Sequence, residues 1–421
     1  MKIPLLPYHL AYCTNVHPGE AWTEVFHNLQ TYAVALKRRL CPNRPFGIGL
    51  RLSDLASREL LQGDALASFQ AWLEQQDLYV FAINGFPYGG FHHQVVKDQV
   101  YAPDWTNPSR LHYTLRLIKI LAVLLPADID GGISTLPLSY KPWKPRDVES
   151  VFARSTHQIV QTVAQMVRIA AETGKVLHLD LEPEPDGLLE NSAEVVAFFQ
   201  EWLLPVGGAW LSQQQAVQKA QAEDWILEHV RVCYDTCHFA VEYEDPESAI
   251  AQFQAVGIKV GRLQLSSALK VVLPPDSNQR QALHSQLRPF AESTYLHQVI
   301  EQFADGTRCQ HRDLVTALPE LAQTAAQEWR THFHVPIFLR EYQALQSTQD
   351  HILAVLHHLP NLPEHPHLEI ETYTWEVLPP ALKLDLTASI EREYQWALAQ
   401  LEASFALNHT WRKQERFASK S

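Results

Sequence analysis

The chain has 421 residues, 46% of them hydrophobic, and a formal net charge of −13 at pH 7. That size allows a large core and up to three domains. The acidic balance argues against a nucleic-acid partner, whose binding needs a basic surface to release counterions. No apolar run reaches the ~20 residues that span a bilayer, so no membrane insertion is expected.

The first ten residues start apolar, but Pro4, Pro7 and His9 break the run before a signal-peptide core can form, and a cytoplasmic location is expected. Five cysteines are an odd number at low density, which predicts free thiols. Strand-like runs then recur at 10–15, 47–52, 78–84, 132–137, 175–181, 230–235, 257–265 and 367–374. Helix-period stretches separate them. One begins near Gly19 with Trp22, Val25, Phe26, Leu29, Ala33, Leu36 and Leu40 on one stripe; others cover 108–125 and 145–172, the last stopped by Gly174. Eight strand–helix repeats favour a closed (β/α)₈ TIM barrel over an open doubly wound sheet, and no Gly-x-Gly-x-x-Gly follows any strand.

Residues 267–330 depart from this rhythm and read as a long insertion between the seventh strand and its helix, placed over the barrel mouth, with a helix-like stretch at 313–329.

The run Val-Arg-Val-Cys-Tyr-Asp-Thr-Cys-His (230–238) ends a buried-looking strand in Asp235 and His238. In parallel α/β folds the carboxyl ends of the strands carry the chemistry. The fifth strand delivers Glu182 to the same rim, with Glu184 as its rival, and the eighth delivers Glu371, with Glu369 deeper in the barrel. Carboxylates and imidazole converging there suit a divalent metal ion: Mn²⁺, Mg²⁺, Co²⁺ or Zn²⁺. In Thr-His-Phe-His-Val-Pro (331–336), His332 and His334 point the same way if extended, as ligands, substrate contacts or merely polar residues of an exposed edge. His17 and Arg51 follow the first two strands and are candidate contacts for a hydroxyl-rich or anionic ligand. The loop from Asn84 through Phe86, Tyr88, Phe91 and His92 is rich in glycine and aromatics and could wall a pocket, as could Tyr373 and Trp375.

These residues carry a resemblance. The Asp-x-x-His ending of the sixth strand, with strand-end glutamates in the fifth and eighth, resembles the xylose-isomerase-like barrels of sugar-phosphate isomerases and ketose 3-epimerases. Cys13-Thr-Asn-Val-His-Pro-Gly-Glu20, Asn84-Gly-Phe-Pro-Tyr-Gly89, Glu182-Pro-Glu-Pro185, Tyr234-Asp-Thr-Cys-His238, His332-Phe-His-Val-Pro336 and Glu369-Ile-Glu-Thr-Tyr-Thr-Trp375 resemble, nearly end to end, the metabolite-traffic EboE family. The epimerase-like resemblance implies Glu182 and Glu371 as metal ligands that double as the acid/base pair, Asp235 as a ligand, and His238 as a substrate-oxygen contact. It also implies a histidine ligand on the seventh strand, where this chain has Gln264. Either the Gln264 amide serves, or His332 or His334 replaces it, or the metal site is degenerate.

The expected function is a metal-dependent isomerase or epimerase of a polyhydroxylated metabolite, in a pathway that handles or exports secondary metabolites. The alternatives are a non-catalytic metabolite carrier on the same barrel and a zinc-dependent phosphodiesterase or endonuclease, the latter prompted by 21 histidines but opposed by the acidic charge. A homo-oligomer stays open.

Overall fold

The structure is a computed structural model that describes residues 1–143, 147–383 and 385–418, with side chains as far as residue 406. Seven parallel strands run β1 (Leu10–Tyr12), β2 (Phe46–Arg51), β3 (Leu78–Asn84), β4 (Gly131–Thr135), β5 (Leu177–Leu181), β6 (Val230–Asp235) and β7 (Val260–Leu265). Six more follow: β8 (Ser267–Val272), β9 (Val299–Gln302), β10 (Arg308–His311), β11 (Glu328–Val335), β12 (Glu341–Tyr342) and β13 (Leu345–Ser347). The last is β14 (His367–Ile370). The first seven and β14 form one eight-stranded parallel sheet in the order β1-β14-β7-β6-β5-β4-β3-β2, and a parallel bridge between Cys13 and Gly49 joins its two ends. With helices such as Trp22–Asn28, Pro108–Leu124 and Val148–Thr173 between successive strands, this is a (β/α)₈ barrel.

The helix that starts at Val148 ends where Gly174 takes a left-handed φ of 73°, a conformation that costs glycine nothing. The proposed start of that helix at residue 145 lies outside the described residues. Strands stop earlier than expected wherever the chain turns to present a side chain. The first gives way at residue 14, whose hydroxyl accepts the Arg51 amide at 2.8 Å, and the eighth ends at Ile370.

Between β7 and the helix Gln349–His358 the chain builds a second, antiparallel sheet, order β10-β9-β11-β8-β13-β12. This segment runs to residue 348 rather than 330, because β11 and β13 both pair with β8. The helix expected over 313–329 is also not there. Pro319 follows a single helical turn, Leu314–Ala317, and Trp329 enters β11 with its indole donating to Glu301 at 3.0 Å. The helical spacing of apolar residues there reflects a short turn followed by a strand.

The barrel interior is unusually polar. Arg262 is fully buried, ion-paired to Glu369 at 2.7 Å and donating to the backbone oxygens of Ile83 and Gly132. Gly49 makes room for this pair: a Cβ there would lie 1.8 Å from Glu369 Oε1. Glu369 thus belongs to the barrel's internal ion pair. All five cysteines are free, four of them buried. Among the described residues no helix is long and apolar enough to cross a membrane.

Candidate metal centre

Asp235 ends β6, and a strand-end aspartate is often only a helix cap. Its Oδ1 does cap the helix Thr236–Val241, accepting from the amides of Cys237 at 2.7 Å and His238 at 3.1 Å, and it also accepts from the Ser266 hydroxyl at 2.5 Å. Oδ2 has no hydrogen-bond partner and faces His238 Nε2 at 3.8 Å. One oxygen does the structural work and the other is free to ligate.

His334 arrives from β11. Its Nδ1 lies 2.7 Å from the backbone oxygen of Glu371, so that nitrogen donates and Nε2, which has no partner, carries a lone pair. His238 is held the same way, with Nδ1 3.1 Å from the Pro183 oxygen. Ligand atoms of Asp235, His238 and His334 all lie within 4.8 Å of one another. A backbone carbonyl fixing the far nitrogen of an imidazole is the usual support for a metal-binding histidine. Burial lowers both histidines, His238 to about 4, and keeps them neutral.

Two glutamates line the same cavity as His238 and His334. Glu371 Oε1 accepts from Asn15 at 2.7 Å and Asn84 at 3.1 Å. Glu182 leaves Oε2 without a partner. Burial, then the charges of Asp235 and Glu184, pushes Glu182 well above the usual carboxylate range. Burial, then Glu182 and Asp235, does the same to Glu371. Against its own desolvation, Asp235 is held low by His238, His334 and the Ser266 hydroxyl. Among the described residues no lysine or arginine ion-pairs with Glu182, Asp235 or Glu371; the nearby Arg262 is taken by Glu369. Three buried carboxyl groups without a countercharge, beside two bare imidazole nitrogens, fit a divalent cation.

A cavity of about 70 Å³ lies above this group, under the second sheet. Glu182, Glu184, His238, His332, His334 and Glu371 line its floor; Phe86, Phe91, Tyr101, Tyr295 and Tyr373 are among its walls. Glu184 is buried beside His238, 3.9 Å away, and burial raises it to about 8 against the Tyr101 hydroxyl's hydrogen bond. His332 Nδ1 meets the Gln298 amide oxygen at 2.9 Å. His332 and His334 are 6% and 0% exposed, on a central strand of the second sheet, so the exposed-edge reading of this pair is wrong.

Other expected residues stand apart. The Gln264 amide oxygen accepts from the Cys233 thiol at 2.9 Å, which occupies the oxygen that would ligate, and His334 supplies the imidazole beside Asp235. Arg51 is turned to Glu20 at 2.9 Å and the Gly19 oxygen at 2.7 Å, pinning the loop after β1. His17 stacks on Tyr32 at 4.2 Å and meets the Tyr12 hydroxyl. Tyr88 packs on Tyr113 and Arg110, and His92 lines a separate recess with Glu20 and His27. Trp375 is buried against Phe338. None of these six lines the cavity. Asn84 and Phe86 do line it, joined by Asn15, Gln298 and Tyr295, which the sequence reading passed over. Asn15 follows the strand-end rule; nothing in the local sequence marks Gln298 or Tyr295.

No family model matches the chain, and no curated protein matches it. Among solved structures it is similar to a xylose isomerase domain protein from Planctomyces limnophilus, at 11% identity and TM-score 0.46, covering 95% of this chain and 97% of that one. It is similar to a xylose isomerase-like TIM barrel protein from Mycobacterium smegmatis in complex with magnesium, at 11% identity and TM-score 0.49, covering 95% and 98%. The third is an IolI protein with a bound zinc atom, at 10% identity and TM-score 0.42, covering 94% and 96%.

Proposed function

We propose that the chain is a divalent-metal-dependent isomerase or epimerase of a sugar- or cyclitol-like metabolite, acting where the resemblance to the EboE family puts it, in the handling or export of a secondary metabolite. The observation that carries the reading is the pair Glu182 and Glu371: both buried, both raised, neither ion-paired among the described residues, just past the ends of β5 and β14 with β6 and β7 between them. Asp235 and His334, with the two glutamates, would hold the ion, and His238, whose ligand atom lies within 4.8 Å of those of Asp235 and His334, would contact the substrate. When bound, a divalent cation would polarise neighbouring carbonyl and hydroxyl oxygens and acidify the C–H between them. One glutamate then takes that proton and the other returns it from the opposite face. Asn15 and Asn84 hold the Glu371 carboxyl in one orientation, and Gln298 with His332 offers polar atoms to substrate hydroxyls.

Incubation with candidate polyhydroxylated carbonyl compounds in D₂O tests this: solvent deuterium should wash into one substrate carbon, and E182Q or E371Q should abolish it. Turnover without wash-in would overturn the proton-transfer reading. Metabolite binding that survives chelation and both substitutions, with no turnover, would mark a carrier instead.

A further inference from the structure

The opposite end of the barrel carries a second group of donors. Asp130 precedes β4, His178 lies near the start of β5, and His367 opens β14. Their ligand atoms lie within 4.8 Å of one another. His367 Nε2 is 3.0 Å from Asp130 Oδ1, and His178 Nε2 is 3.6 Å from Asp130 Oδ2. His178 Nδ1 meets Asp180 Oδ1 at 2.6 Å, so Nδ1 donates and Nε2 turns a bare lone pair toward a carboxylate oxygen. Arg231 already pairs with that oxygen at 2.7 Å, while His178 Nε2 is left without a donor.

The surroundings are built for this arrangement. Both imidazoles are buried, at 0% and 4% side-chain exposure, and His367 Nδ1 has no partner. Glycines on the flanking strands make the space: a Cβ at Gly132 would lie 2.7 Å from His178 Cε1, and one at Gly261 would lie 2.2 Å from Asp180 Oδ1. Asp180 stands behind His178 as an orienting carboxylate does behind a ligating histidine. Arg231 holds Asp130 at 2.7 Å but also bonds Glu228 at 3.1 Å, so Asp130 can turn an oxygen to an ion without stranding the guanidinium. Asp130, Asp180 and Glu369 against Arg231 and Arg262 leave one negative charge uncompensated. Asp130 is 31% exposed, so the group reaches solvent through it.

We propose that Asp130, His178 and His367 hold a second divalent ion, zinc or cobalt, that ties the amino-terminal ends of β5 and β14 to the chain entering β4. Two imidazoles and one carboxylate with solvent as the fourth ligand match those ions. The site lies away from the mouth, so the ion's role is structural.

The test removes the mouth ligands first. The D235N/H334Q protein, stripped with chelator and then given zinc alone, should take up one equivalent per chain. Its Tm should rise by about 3 °C at zinc a hundredfold above Kd. Adding H367Q should abolish both effects. Uptake of no zinc by D235N/H334Q, or uptake unchanged by H367Q, overturns the proposal. Anomalous scattering from wild-type crystals grown with zinc gives the same decision without any substitution: a peak between His178 Nε2 and His367 Nε2 is expected, and a peak at the mouth alone overturns it. Loss of the mouth ion in those crystals would count against the proposed function while leaving this site standing.

Discussion

His334 Nδ1 lies 2.7 Å from the backbone oxygen of Glu371, so an insertion strand is locked to the last barrel strand at the point where both present side chains to the same cavity. The bond selects the His334 tautomer, and it makes the second sheet part of the metal centre instead of a cover over it.

H334A should therefore cost at least about 100-fold in metal affinity, beyond the 10–100-fold typical of losing an outer partner. Q264A should leave the affinity within a few-fold, because that amide oxygen is already taken by Cys233. Isothermal titration of the chelator-stripped proteins with Mn²⁺ or Zn²⁺ checks both; the reverse ranking would return the ligand role to Gln264.

E182Q and E371Q should each lower turnover by about 10²–10⁴-fold, the usual range for losing a general acid or base. Asn84 holds the Glu371 carboxyl without entering the proton transfer, so N84A should lower kcat less than E371Q does. Steady-state kinetics with wash-in rates separates the three.

Metal binding should release protons. Glu182 and Glu371 are raised in the ion-free protein and must ionise to ligate, so affinity should rise with pH until both are deprotonated. Titration in two buffers of different ionisation enthalpy measures the proton count, which is expected to be positive. A count of zero would mean that the glutamates stay outside the coordination shell.

Glu393 offers a pH test away from the centre. It accepts from the Thr372 hydroxyl at 2.7 Å and the Ile337 amide at 3.2 Å, and burial, against those hydrogen bonds, raises it to about 8. A carboxyl raised on folding contributes stability that is complete below its unfolded value of 4.5 and is lost as pH climbs toward 8. The loss runs at no more than about 1.4 kcal/mol per pH unit. E393Q keeps the shape and one acceptor oxygen, so it should melt above the wild type at pH 8–9 and close to it at pH 4–5. Calorimetry across that range decides.

Lys97 pairs with Asp313 at 2.7 Å, and the Val96 and Lys97 amides bond the Thr294 oxygen, clasping the loop after β3 to the insertion beside the cavity. K97M should raise KM by roughly 3–10-fold with kcat nearly unchanged, as loss of uniform binding does. A fall in kcat with KM unchanged would instead give Lys97 a part in the chemistry.

The sequence by itself determined the barrel and the strand-end residues of the centre. Alternation of apolar runs with helical stripes specifies eight β/α units, and a strand's period of two with the polarity of a parallel barrel puts Glu182, Asp235 and Glu371 on one rim. These are local or near-periodic facts, legible one element at a time. What only the tertiary structure decided is everything set by long-range pairing. The helical spacing at 313–329 yielded to a strand because β11 finds β8 and β9 on either side, and that pairing carries His332 and His334 from an apparent edge into the cavity. The same holds for the residues that turned away. Whether Arg51 faces a ligand or Glu20, and whether Gln264 offers its oxygen to an ion or to Cys233, depends on partners distant in the chain whose positions no local pattern records.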